Sequence, residues 1–166
     1  MKSIIVGFSR PIKTKPFAWL IQKAYGINYD HVYIKIYSES LNRFLIYQAS
    51  GTMVNFMGTA YWDTENIPVL EHNIFLTDDN YKLFMQFAVD NAGKPYGTKE
   101  CFGLAWVRIG ELLGKKWLNP FKDGGNTYVC SELVATILKD FNDATLDNVQ
   151  EMSPLDVYNY IASLKV

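Results

Sequence analysis

Alternation between His31 and Tyr37 constrains this chain more than any other feature. Val32, Ile34 and Ile36 fall on one face, and His31, Tyr33, Lys35 and Tyr37 on the other. A period of two marks a strand with one buried face, and it fixes register, because a one-residue slip would turn every apolar side chain outward. Neighbouring segments extend the pattern. Residues 3–8 read as a short apolar strand, and Phe44–Ala49 follows a turn around Glu39–Asn42. Gly51 punctuates before Met53–Phe56, and residues 68–76 form a further strand after Pro68. The order predicts an antiparallel meander.

The remainder reads as helix. Residues 14–25 carry Phe17, Leu20, Ile21 and Ala24 at helical spacing, with Gly26 and Asn28 as residues that tolerate the left-handed conformation at its end. Asp78 and Asp79 open a helix that runs through Phe84, Phe87 and Ala88 and stops at Gly93. Thr98–Leu113 forms the next, ending at Gly114. A loop containing Gly124 and Gly125 leads to a third, from about Tyr128 to Asp140. The last starts with Ser153-Pro154-Leu155-Asp156, a Ser cap, a Pro in the first turn and an acid three residues on. Strands first and helices after predict an α+β fold. No repeat, low-complexity tract or linker divides residues 1–166, so a single domain is expected.

Composition removes several functions. The net charge is -1 and no basic run stands out, which disfavours nucleic-acid binding. The apolar run in M-K-S-I-I-V-G-F-S-R-P is too short for a signal-peptide core. The longest apolar helix is interrupted by Arg108 and Glu111, so no transmembrane segment is expected and the cytoplasm is the default location. Export by a route without a cleaved signal would leave no trace in such a sequence. No Cys or His cluster has metal-ligand spacing and no glycine pattern follows a strand to cradle phosphates, so no metal or cofactor is expected. The oligomeric state stays open.

Two cysteines, Cys101 and Cys130, are too few for a disulfide framework. Cys130 lies in the first turn of a helix, just after G-G-N-T, where unpaired N–H groups and the helix dipole favour a thiolate and offer donors to an oxyanion. It also shares a helical stripe with Leu133, Val134, Ile137, Leu138 and Phe141, as a plain core cysteine would. A base would have to be His31, which opens a strand, or His72, which lies inside another. Spacing does not choose between them, because catalytic partners meet in space.

Four segments bear on that choice: D-H-V-Y-I (Asp30 to Ile34), G-K-P-Y-G (Gly93 to Gly97), Y-V-C-S-E-L-V (Tyr128 to Val134) and S-P-L-D-V (Ser153 to Val157). In this order they resemble the circularly permuted branch of the NlpC-type papain-like superfamily, the YiiX-like group. More distant kinship links them to lecithin:retinol acyltransferase-like enzymes. The resemblance runs from about Ile5 to Ala162, and C-S-E-L-V is its most specific element. It implies a papain-like antiparallel sheet packed on helices, with Cys130 as nucleophile and His31 as general base. In that family a polar residue on the following strand orients the histidine. The matching strand, F-L-I-Y-Q-A-S, offers Gln48 where many relatives carry an acid. Tyr96 matches a tyrosine whose hydroxyl lies near the nucleophile and is assigned to substrate binding. Cys101 and His72 match no motif and read as structural.

The implied chemistry is acyl transfer, in which Cys130 attacks an amide or ester and water or another acceptor resolves a thioester. Substrates of such relatives are peptidoglycan peptides, other amides or lipid acyl groups. Phe56, Tyr61, Trp62, Trp106 and Trp117 are aromatic candidates for an acyl site or for core. The rival is an inactive binding module on the same fold, for which Gln48 in place of an acid speaks. An activated Cys130 should titrate below the free-thiol value of about 8.5 and react before Cys101.

Overall fold

The alternating segment becomes the middle strand of a sheet. A computed structural model describes residues 1–13, 15–121 and 126–164. Its strands are β1 (Lys2–Pro11), β2 (His31–Ser38), β3 (Arg43–Ser50), β4 (Met53–Gly58) and β5 (Asn66–Leu76), in the spatial order β4-β3-β2-β1-β5. All neighbouring pairs are antiparallel. Residues β2 to β4 form the expected meander, while β1 inserts between β2 and β5. Ile4, Val6 and Phe8 face Ile36, Ile34 and Val32 across the β1–β2 ladder, so apolar side chains pair on one side. Pro68 lies inside β5 rather than before it. The strand is at the sheet edge and its register shifts there, between Phe8 and Ser9 of β1, where a residue without an N–H is tolerated.

The helices are α1 (Pro16–Tyr25), α2 (Thr59–Trp62), α3 (Asp78–Asn91), α4 (Thr98–Leu112), α5 (Cys130–Phe141) and α6 (Pro154–Ser163). The fold is therefore α+β. The first helix begins two residues later than its periodicity suggests. Pro16 occupies its first turn, and Lys15 is extended at φ -95° and ψ 147°, as a residue before proline prefers. Gly26 ends it at φ 66°. Four-residue α2 is too short to show a period and was not anticipated. Before α6, Ser153 Oγ accepts from the Asp156 N–H at 3.2 Å and Asp156 Oδ2 accepts from the Ser153 N–H at 2.8 Å, the expected capping box. The loop glycines Gly124 and Gly125, residue 14 and the side chain of Phe17 lie outside the described parts.

One face of the sheet makes the main core. Val6, Phe8, Val32, Ile34 and Ala49 pack with Leu133, Val134, Ile137 and Leu138 of α5, Phe84 of α3 and Ile161 of α6. Each Val, Leu, Ile or Phe among them contributes roughly 1.5–3 kcal/mol on leaving water, and this burial holds α5 against β2. The other face carries a smaller cluster of Tyr33, Ile46 and Trp62. Gly7, opposite Tyr33, is what admits that ring: a Cβ there would lie 2.1 Å from Tyr33 Cζ. Among the described residues no helix is long and apolar enough to cross a membrane.

Candidate active site

Cys130 is the first residue of α5, preceded by extended Val129 as the N-cap. It is 4% exposed. The backbone N–H groups of Val32, Ser131 and Cys130 itself donate toward its sulfur. Val32 directly follows His31, so the sulfur lies over the N-terminal end of β2. Here the expectation of a depressed thiol is overturned. Burial pushes Cys130 up to about 11, with a further push from the Asp30 carboxylate, and the amide donors offset only part of this. Desolvation outweighs the helix terminus, and the resting group at neutral pH is the thiol.

His31 opens β2 on the opposite face from Val32, stacked on Tyr33 at 6.3 Å between ring centroids. Its Nε2 lies 2.8 Å from Gln48 Oε1 on β3. Gln48 is buried, and the same oxygen accepts from Trp62 Nε1 at 3.1 Å. Indole nitrogen only donates, so the amide atom facing Trp62 must be the oxygen. That oxygen cannot donate to His31. The neutral imidazole therefore carries its proton on Nε2 and leaves Nδ1 as the basic nitrogen. Although His31 keeps a partly exposed edge, the surrounding protein pushes it down to about 4, and the Gln48 bond offsets this only in part.

Tyr96 is tied to the approach of Cys130 by backbone pairing. It bridges Tyr128, the Gly97 N–H donates to the Tyr128 carbonyl at 3.0 Å, and the Tyr128 N–H donates to the Pro95 carbonyl at 3.2 Å. Its hydroxyl lies 3.6 Å from Cys101 Sγ, and burial raises it well above the ordinary tyrosine value. Cys101 and Cys130 line one narrow hollow together with Ile21, Tyr25, Asp30, Leu104, Ser153 and Pro154. Cys101 is pushed up to about 12 by burial. A neighbouring hollow is lined by His31, Tyr96, Asp30, Ile21 and Ser50. All four sequence segments thus converge here: Asp30 and His31, Tyr96, Cys130, and Ser153 with Pro154.

His72 sits elsewhere, paired with Val6 in the ladder and ringed by Phe8 at 6.3 Å and Tyr158 at 6.4 Å. Two residues escaped the sequence reading in their present roles. Trp62 stood only among the aromatics, and nothing in the spacing places its N–H on Gln48. Asp30, which lines both hollows and receives the Gln22 amide at 2.9 Å, reads in the sequence as a second candidate to hold the imidazole, and nothing there places it beside the Cys130 sulfur. Among the described residues no three His, Cys, Asp or Glu side chains come together to hold a metal ion. No protein-family model matches the chain, and no curated protein does.

Proposed function

We propose that the protein is a cysteine hydrolase or acyltransferase of the permuted NlpC-type papain-like class, acting on an amide or ester bond. The observation that carries this is the Trp62–Gln48–His31 chain, which fixes the basic form of the histidine beside the strand end over which the Cys130 sulfur lies. Support also comes from the four resembling segments, which line two neighbouring hollows that share Asp30 and Ile21.

In this mechanism His31 Nδ1 takes the thiol proton as the Cys130 sulfur attacks the carbonyl carbon. A neutral thiol and a neutral imidazole make the histidine a general base during attack, rather than half of a preformed ion pair. The carbonyl π pair moves to oxygen, and N–H groups at the start of α5 receive the oxyanion. Collapse expels the amine or alcohol, which takes the proton back from His31. A thioester on Cys130 remains, and water or another acceptor, deprotonated by His31, releases the acyl group. Gln48 holds the ring and Tyr96 contacts substrate. No cofactor takes part.

The inactive binding module is the rival, favoured by the same upward push on Cys130 and by an amide at Gln48 that cannot stabilise imidazolium as a carboxylate does. Intact-mass measurement after incubation with acyl-ester and peptide-amide libraries separates the two. An acyl adduct on Cys130 supports the enzyme; retained binding with no adduct and no turnover supports the module.

A further inference from the structure

Helix α4 turns an apolar stripe away from the protein. Phe102, Trp106, Ile109 and Leu113 are spaced by four, three and four residues, which aligns them along one face. Their exposures are 53%, 49%, 42% and 62%. Large apolar side chains exposed contiguously mark an interaction surface rather than ordinary solvent-facing surface. The stripe is also held in shape. Trp106 stacks on Trp117 at 4.2 Å and 18°, and Trp117 lies so close to Gly110 that a Cβ there would be 2.7 Å from its ring.

Charge around the stripe has one sign. Between Thr98 and Phe121 the only acids are Glu100, which is buried, and Glu111, which pairs with Arg108 at 2.8 Å. At 100° per residue Glu111 falls on the side of the helix opposite the stripe. Lys99, Lys115 and Lys116 are exposed. The helix packed against α4 continues the trend: α1 lies in residues 1–29, which contain no Asp or Glu, and Trp19 on it is 53% exposed.

We propose that this face seats on the surface of an anionic lipid bilayer, with Phe102 and Trp106 in the headgroup–acyl boundary and Lys115 and Lys116 against lipid phosphates. Indole rings suit that boundary, being apolar with one polar edge, and cations beside them meet a negative surface. A second copy docking through the same stripe would bring like lysines together, and the one exposed acid of this segment, Glu111, is already paired with Arg108. The other sides of α4 supply Cys101, Leu104 and Ala105 to the Cys130 hollow, so docking holds the candidate active site close to the lipid surface. The surface does not depend on the cysteine chemistry.

Sedimentation of the full chain with phospholipid vesicles tests this. Vesicles of equal phosphatidylcholine and phosphatidylserine should carry the protein down, and phosphatidylcholine alone or raised salt should weaken binding by about tenfold or more. The double variant Phe102→Ser/Ile109→Ser should weaken it by a similar factor at unchanged circular dichroism, since both positions are exposed. In the unmodified protein, brominated lipid should quench tryptophan emission, and Trp106→Phe should remove most of that quenching. Absence of sedimentation with anionic vesicles, binding unchanged in the double variant, or no quenching would overturn the proposal. So would a dimer that the double variant disperses without vesicle binding, which would assign the stripe to a second copy.

Discussion

Trp62 Nε1 donates at 3.1 Å to the Gln48 oxygen that also lies 2.8 Å from His31 Nε2. The indole thereby selects the tautomer of the imidazole two hydrogen bonds along this chain. Trp62→Phe keeps an aromatic ring but removes the N–H together with part of the buried indole, freeing the amide to turn. Turnover should fall about tenfold, the equivalent of roughly 1.4 kcal/mol for one lost buried hydrogen bond. Adding Gln48→Glu should restore it, because either carboxylate oxygen accepts from His31. Steady-state kinetics of the single and double variants check this; no rescue would mean Trp62 acts by packing alone.

Gln48 itself should matter less than the nucleophile. Gln48→Ala should lower turnover about tenfold or somewhat more, the value of one orienting hydrogen bond, whereas Cys130→Ala abolishes it. Gln48→Glu should preserve or raise activity, since a carboxylate orients the ring and also stabilises imidazolium. A Gln48→Ala enzyme with unchanged kcat would remove Gln48 from the mechanism.

Asp30 works against the thiolate. Its carboxylate raises Cys130, so Asp30→Asn should lower the thiol pKa and speed iodoacetamide labelling at neutral pH. Peptide mapping of labelled Cys130 across a pH series reads the shift directly. An unmoved titration would show that desolvation acts alone.

Stability should form a plateau in pH. His31 titrates near about 4 in the fold against 6.5 unfolded, so the unfolded chain alone binds a proton between them and stability falls as pH drops from about 6.5 toward 4. Cys130 keeps its proton up to about 11 against 9.0 unfolded, so stability falls again as pH rises from about 9 toward 11. His31 and Cys130 each contribute on the order of 3 kcal/mol to their limb. Urea titrations at successive pH values should show it, with His31→Gln flattening the acid limb and Cys130→Ser reducing the alkaline one. Cys101, raised to about 12, keeps part of the alkaline limb in that variant.

Periodicity carried most of the architecture. The alternation of Val32, Ile34 and Ile36 and the stripe of Leu133, Val134, Ile137 and Leu138 meet in one core, because each pattern has only one face to bury. The N-terminal place of Cys130 on α5 was legible for the same reason, as was the capping box at Ser153. Other features depend on what packs around them. The Gln48 strand position could be read, but its bond to Trp62 spans a four-residue helix with no periodic signal. The thiol's titration was misjudged because a helix terminus is a local property, whereas desolvation of Cys130 is set by Val32, Leu133 and the rest of the core. Exposure of Phe102 and Trp106 was equally hidden, since an apolar helix stripe reads as core until the fold leaves it uncovered.

The most direct measurement is acyl-adduct formation on the intact chain, mapped to residue, in the unmodified protein and in His31→Ala and His72→Ala. An adduct on Cys130 that persists in His72→Ala and is lost in His31→Ala, with circular dichroism unchanged in both, is the expected result. Equal loss in both histidine variants, an adduct on Cys101 instead, or no adduct from any ester or amide probe would contradict the assignment of Cys130 and His31 as a catalytic pair.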